Sequence, residues 1–261
     1  MRAPNTACLL LHGFGSSPFE MQGLVPGLRE LGCSVDSAPF PGHDASIEEF
    51  RKSFYPDWYA SAKERYEALV REHERVVCIG FSMGASITLS LAAELADDAR
   101  LAGAFCFAPA YGVYRLLPLG RMSWIVLTPL LQYIRPVIPL APASKKSREI
   151  APYQGYEGTL YLPQLHSMAR GIKNMRERLP RVRCPLYLMY DLKDSICPAE
   201  FGLKIARAVS STDLTLRYTR IREKVTSHHM LTTHQETRDF AAAEVRAFVA
   251  RLQGTPAGPG N

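Results

Sequence analysis

"RVVCIGFSMGASITLSLAAELA", residues 75–96, decides the fold of this chain. After Arg75 the stretch opens as a continuous apolar run, the pattern of a strand buried on both faces. From Met83 it is small and apolar all round, the pattern of a buried helix. Between the two, G-F-S-M-G sets Ser82 between Gly80 and Gly84. A strand that turns so sharply into a helix brings the two backbones close, and a Cβ at 80 or 84 would collide there. Ser82 then has two readings. It is a serine that caps a helix, or a nucleophile in strained dihedrals beside the free N–H groups and positive dipole end of that helix. The pentapeptide alone does not choose between them.

The same strand-then-helix alternation runs outward in both directions. Strand patterns occur at 6–13 (TACLLLHG), 33–39 (CSVDSAP), 101–109 (LAGAFCFAP), 184–191 (CPLYLMYD) and 214–221 (LTLRYTRI). Helix patterns occur at 21–32, stopped by Gly32, at 57–73, near 199–209 and near 237–252. In 57–73, Trp58, Ala62, Tyr66 and Leu69 share one face, with charges opposite. Alternation of this kind predicts an α/β fold, a mostly parallel central sheet flanked by helices. It breaks at 111–165, which is Pro-rich and hydrophobic with no period-2 strands, and predicts a small helical cap inserted at one end of the sheet. The core is expected in two parts, 1–110 and 166–252, and the tail 253–261 is expected to be disordered.

Bulk properties fit that outline. A length of 261 residues suits one large domain, and 47% apolar with 21% charged residues is ordinary for a soluble globular chain. Six cysteines show no C-x-x-C pair and no zinc-ligand spacing, so they read as small buried hydrophobes in a reducing cytosol. The first apolar run is too short for a signal peptide. The longest, Met122 to Ile134, spans 13 residues with Pro129 inside, short of the roughly 20 that cross a bilayer. A cytoplasmic location is expected.

If Ser82 is a nucleophile, it needs a base, and the base needs an orienting acid. On a sheet of this kind the partners follow in the order serine, acid, histidine, on loops at the C-terminal ends of later strands. Asp194, three residues past the strand pattern in "DLKDSICP", fits the acid. Asp191 competes, or binds backbone N–H groups of the loop. His12, His43, His73 and His166 precede the acid and are disfavoured by order. His228, His229 and His234 follow the last strand in "TSHHMLTTHQET", and His234, at the start of the last helix pattern, is expected to face solvent. His228 and His229 are adjacent, so only one can point at Ser82. An oxyanion hole would use the N–H of Met83 and one from the loop "HGFGSS" (12–17), where Phe14 is the natural donor.

With "LLLHGF", "PGHD", "DWY", "GFSMG", "DSICP" and "HHMLTTHQE" in this order, the chain resembles the α/β-hydrolases, and more narrowly the small bacterial carboxylesterases and monoacylglycerol lipases. The resemblance runs over roughly 5–252 and is weakest at 111–165. It implies Ser82 as nucleophile and Asp194 as acid, with Pro198 four residues on. It implies His229 as base, because the usual pattern is S-G-H followed by an apolar pair. His228 then stands where a Gly is usual. The usual P-G-H-G is Pro-Gly-His-Asp here, which makes His43 a loop-structuring residue. The implied chemistry is ester hydrolysis through an acyl-enzyme, on short- to medium-chain acyl esters or monoacylglycerols, with no cofactor or metal. Thioesterase or acyltransferase chemistry on the same fold, or a ligand-binding homologue without catalysis, are the alternatives.

Charge adds one expectation about partners. Between Arg115 and Arg183 there are twelve Lys or Arg and three Glu, a net +9, while the whole chain carries +6. A basic, apolar cap predicts weak, salt-sensitive contact with anionic lipid surfaces. Nucleic acid is not an expected partner, since no stacking-aromatic module accompanies the charge.

Overall fold

The computed structural model describes residues 5–112 and 124–254, with backbone alone at 124–128. The tail expected to be disordered, from 255 on, and part of the expected cap, 113–123, lie outside the described residues. The first half holds β1 (Thr6–Leu11), a 3₁₀ turn (Pro18–Leu24), α1 (Val25–Glu30), β2 (Ser34–Asp36), α2 (Ile47–Lys52), α3 (Tyr55–Glu72), β3 (Arg75–Phe81), α4 (Met83–Glu94) and β4 (Leu101–Phe107). The chain then leaves the sheet for α5 (Trp124–Ile134), β5 (Val137–Pro139), α6 (Lys145–Ile150), β6 (Thr159–Tyr161) and α7 (Leu162–Arg178). It returns through β7 (Leu186–Asp191), α8 (Glu200–Ala208), β8 (Leu214–Thr219) and α9 (Arg238–Leu252).

Six strands form one parallel sheet in the order β2-β1-β3-β4-β7-β8. From β1 the chain goes outward to β2, then crosses back to lay β3 on the other side of β1. That reversal opens a crevice at the C-terminal ends of β1 and β3, where open α/β sheets place their ligands. The loop after β1 and the residue after β3 therefore meet at one point. The loops after β7 and β8 lie on the same edge.

Burial follows the sequence pattern. β1 is buried along its whole length, and β3 everywhere but Arg75. α4 is buried from Met83 through Ala93, because it is clasped between the sheet and α7. In α3, Trp58, Ala62 and Tyr66 repeat every fourth residue and turn inward, while the charged positions stay out. Asp57 accepts the Phe54 N–H at 2.8 Å and holds the start of that helix.

Three elements differ from the sequence expectation. Residues 21–32 are not one helix. Pro26 has no N–H and would clash with the carbonyl four residues back, which breaks or kinks an α-helical ladder that runs into it. The chain winds as a 3₁₀ turn to Leu24 and starts α1 with Pro26 in its first turn. Within 111–165, β5 and β6 form an antiparallel pair of three residues each, with α6 between them in the chain, too short and too proline-bounded to show a period. α7 begins at Leu162 and buries Leu165, Met168, Ile172 and Met175 against the body of the fold. All six cysteines are free thiols, and five are buried. No described helix is long and apolar enough to cross a membrane.

Candidate active site

Ser82 has φ 53° and ψ −112°. That is a left-handed conformation which costs a non-glycine residue about 1–3 kcal/mol and persists only where its surroundings impose it. Here the Ser82 N–H donates to Phe107 O on β4 at 2.8 Å, and Ser82 O accepts the Ser86 N–H at 3.1 Å as α4 begins. The flanking glycines let backbones nearly touch. A Cβ on Gly80 would fall under 3.0 Å from Gly84 O, and one on Gly84 under 3.0 Å from the carbonyls of Leu11 and His12. The hydroxyl makes no capping bond to α4. It points instead to His229.

Ser82 Oγ lies 2.9 Å from His229 Nε2, and His229 Nδ1 lies 2.7 Å from Asp194 Oδ2. With the carboxylate accepting the Nδ1–H, that nitrogen keeps its proton and Nε2 is left to accept the serine O–H. The other carboxylate oxygen, Asp194 Oδ1, accepts the N–H groups of Ile196 and Cys197, each at 2.8 Å. Asp194 and His229 are both buried, and the ring of His229 rests 4.9 Å from that of Phe81. Three side chains from the ends of β3, β7 and β8 are thus in sequential hydrogen-bond contact.

Asp191 and His228 sit one layer behind. The Asp191 carboxylate accepts N–H bonds from Ile221 at 2.7 Å and Lys193 at 2.8 Å, and the Thr219 hydroxyl at 3.1 Å. It braces the loop after β7 against the loop after β8. The Ser195 N–H bond to Ser227 O at 3.0 Å adds a second stitch. His228 adopts φ 58°, the left-handed region a glycine enters without cost. Its Nε2 donates to Glu223 O at 2.8 Å, so its ring turns away from Ser82. Its Nδ1 is 3.3 Å from Asp191 Oδ1 but makes no hydrogen bond. His234 corrects the expectation of solvent exposure. It is fully buried, facing Glu223 Oε1 at 3.3 Å and accepting the Glu236 N–H at 3.0 Å.

A cavity of about 190 Å³ opens in front of Ser82 and His229, lined mainly by apolar groups that include Phe14, Phe81, Met168, Ile196 and Met230. Phe14 belongs to the loop after β1, and Met83 opens α4 directly after the serine. A neighbouring cavity of about 350 Å³ shares the walls Tyr153, Ile196 and Met230. Two lining residues had no signal in the sequence. Glu20 sits in a turn that folds back under the loop, and Tyr153 reaches in from the segment between β4 and β7. Neither stretch has a period or a motif that marks burial.

His12 and His43 support the loop from below. His12 Nε2 accepts the Phe40 N–H at 3.2 Å, and His43 Nε2 accepts the Gly15 N–H at 3.1 Å. Both rings are neutral acceptors. Burial, with the neighbouring His43, drives His12 down to about 3, and burial drives His43 down to about 4. Burial pushes the Glu20 carboxyl the other way, up to about 7, against the opposing Gly13 N–H. Each shift fixes a sign for stability. Below the ordinary imidazole value of 6.5 the unfolded chain takes up two protons that the folded rings refuse. Stability is therefore full above pH 6.5 and falls as pH drops towards 4 and 3. Glu20 opposes this between 7 and its ordinary 4.5, because the folded state takes its proton first. Each group supplies a slope of about 1.4 kcal/mol per pH unit. Urea unfolding should show a net loss of about 1.4 kcal/mol per unit from pH 6.5 to 4.5, and Glu20→Gln should double that slope.

A parallel sheet that gathers a serine on a strand-to-helix elbow, a histidine and an aspartate at its strand ends defines an α/β-hydrolase. The chain belongs to the family described as serine aminopeptidase, S33, whose profile matches residues 2–221. Among curated proteins it is similar to a thermostable monoacylglycerol lipase of Bacillus sp. (strain H-257), 33% identical over 89 residues. That match covers 34% of this chain and 36% of the lipase, so the chain spans about a third of the curated relatives it matches. Among solved structures it is similar to one reported for LipS and LipT, two metagenome-derived lipolytic enzymes. The TM-score there is 0.81 at 20% identity, over 95% of each chain. The monoacylglycerol lipase of Paleococcus ferrophilus follows with a TM-score of 0.75 at 16% identity, over 94% of each chain. At these identities the likeness concerns the fold.

Proposed function

We propose that this chain hydrolyses carboxylic esters through an acyl-enzyme on Ser82. The observation that carries the reading is the unbroken contact from Ser82 Oγ to His229 Nε2 at 2.9 Å and from His229 Nδ1 to Asp194 Oδ2 at 2.7 Å. His229 takes the serine proton as Oγ bonds to the ester carbonyl carbon. The carbonyl oxygen gains the electron pair and is held by the Phe14 and Met83 amides. Each such donor supports about 3–4 kcal/mol of the barrier reduction. The C–O bond then breaks, and His229 Nε2 gives its proton to the leaving alcohol. Water repeats the cycle on the acyl-enzyme and releases the acid.

A narrow, mainly apolar cavity that adjoins a second one supports neutral acyl groups of short to medium length, monoacylglycerols among them. The lipase and esterase relatives agree with that substrate class. We read 111–165 as the cap over this site. The exposed basic residues Lys145, Arg148, Arg170 and Lys173 support weak attraction to anionic lipid surfaces.

A chain-length series of p-nitrophenyl and monoacylglycerol esters, run beside acyl thioesters and aminoacyl p-nitroanilides, tests the reading. Esters should be turned over fastest, and a fluorophosphonate probe should label the wild type and not Ser82→Ala. Faster turnover of thioesters or anilides moves the assignment to those classes, and an unlabelled wild type leaves a ligand-binding homologue. Co-sedimentation at low salt should favour anionic over neutral vesicles; equal binding removes the lipid-surface proposal.

A further inference from the structure

Phe14, the donor that the ester reading assigns to the oxyanion, stands between two glycines in H-G-F-G. Glycine has the widest backbone freedom of any residue, so the backbone of this loop does not by itself fix where the Phe14 N–H points. Side-chain bonds fix it, one from His12 within the loop and the rest from outside. On the far side of Phe14, the Gly15 carbonyl accepts the Tyr153 O–H at 2.9 Å and the Tyr156 N–H at 2.8 Å, and the Gly15 N–H goes to His43. On the near side, His12 Nδ1 donates to Gly13 O at 2.9 Å. The Gly13 N–H, one peptide before the Phe14 N–H, donates to Glu20 Oε2 at 2.8 Å.

Glu20 is anomalous in this setting. It is 1% exposed, and no step of the hydrolysis uses it. It is also the one carboxylic side chain among the described residues that line the Ser82 cavity. A buried carboxyl in apolar surroundings costs several kcal/mol unless it is well bonded. A neutral side chain would pack there more cheaply. What it supplies is a strong acceptor aimed at the Gly13 peptide.

We propose that Glu20 is a positioning residue for the oxyanion hole, holding the Gly13 peptide so that the Phe14 N–H faces the carbonyl oxygen of the substrate. The assignment rests on the ester-hydrolase reading. It requires the hydrogen-bond acceptor, and packing alone does not meet the requirement. Glu20→Met keeps the length and loses the acceptor, whereas Glu20→Gln keeps both length and acceptor.

Steady-state kinetics with p-nitrophenyl butyrate should separate the two. Glu20→Met should lose about 100-fold in kcat with KM little changed, the effect of a misplaced transition-state contact. It should lose the same factor in affinity for a trifluoromethyl ketone, whose hemiketal places an oxyanion in the same hole. Glu20→Gln should stay within about fivefold of wild type on both. Unfolding midpoints for each variant separate a fallen rate from a fallen fold. A Met variant that folds and keeps wild-type kcat overturns the inference. So does a Gln variant that loses as much as Met, or ketone affinity that does not follow kcat/KM. A wild type that turns over no ester overturns the ester reading, and this assignment with it.

Discussion

Ser82→Ala is expected to lower kcat by about 10⁵- to 10⁶-fold and to leave KM nearly unchanged. The size follows from the role. In the proposed mechanism the hydroxyl oxygen is the atom that bonds to substrate, and no neighbouring group stands in for it. Cys197 lines the same cavity, but burial, with the nearby Asp194, raises its thiol well above the ordinary range, so it supplies no thiolate. KM should be spared because the apolar walls proposed to bind the acyl group do not change. The fold should gain slightly, since the hydroxyl carries a polar group into an apolar cavity, while the left-handed φ costs alanine as much as serine. Stopped-flow assay for kcat and urea unfolding for stability check both halves. A serine variant within 100-fold of wild type would mean that another group attacks.

The second large effect separates two adjacent histidines. His229→Ala is expected to lose a comparable factor of about 10⁵ to 10⁶, because without the base the serine keeps its proton. His228→Gly is expected to keep turnover within a few-fold of wild type and to raise stability by about 1 kcal/mol. The gain follows because φ 58° strains any residue with a Cβ. Replacing the ring removes its bond to Glu223 O, an acceptor close enough to solvent to be satisfied by water. Parallel kinetics and denaturation on the two variants decide the matter. A His228 variant that is dead beside an active His229 variant would reverse the assignment.

The six strands and the elbow were legible because their constraints are local. A continuous apolar run needs no tertiary context to be read as a strand buried on both faces. Only glycine at 80 and 84 permits a turn this tight. The choice between Asp194 and Asp191 was open in the residues themselves. Both follow β7 in one loop, and what separates them is a partner from elsewhere in the chain. Asp191 spends its oxygens on Ile221, Thr219 and Lys193, whereas Asp194 keeps one for His229. His228 and His229 were open in the residues themselves, and the resemblance separates them: His228 stands where a Gly is usual, and its φ is 58°. His234 was misread because the start of a helix pattern looks solvent-facing until Glu223 closes over it. Glu20 was invisible for a related reason. Its burial depends on the 3₁₀ turn, which exists because Pro26 interrupts what otherwise reads as one helix.

The central claim is that a covalent acyl group passes through Ser82. Rapid-quench mass spectrometry during turnover of p-nitrophenyl butyrate tests it most directly. A transient gain of one butyryl group is expected, carried on the peptide that contains Ser82, accumulating further when deacylation is slowed at low pH and absent in Ser82→Ala. Ester turnover with no adduct at any time point, or an adduct on a different residue, would contradict it.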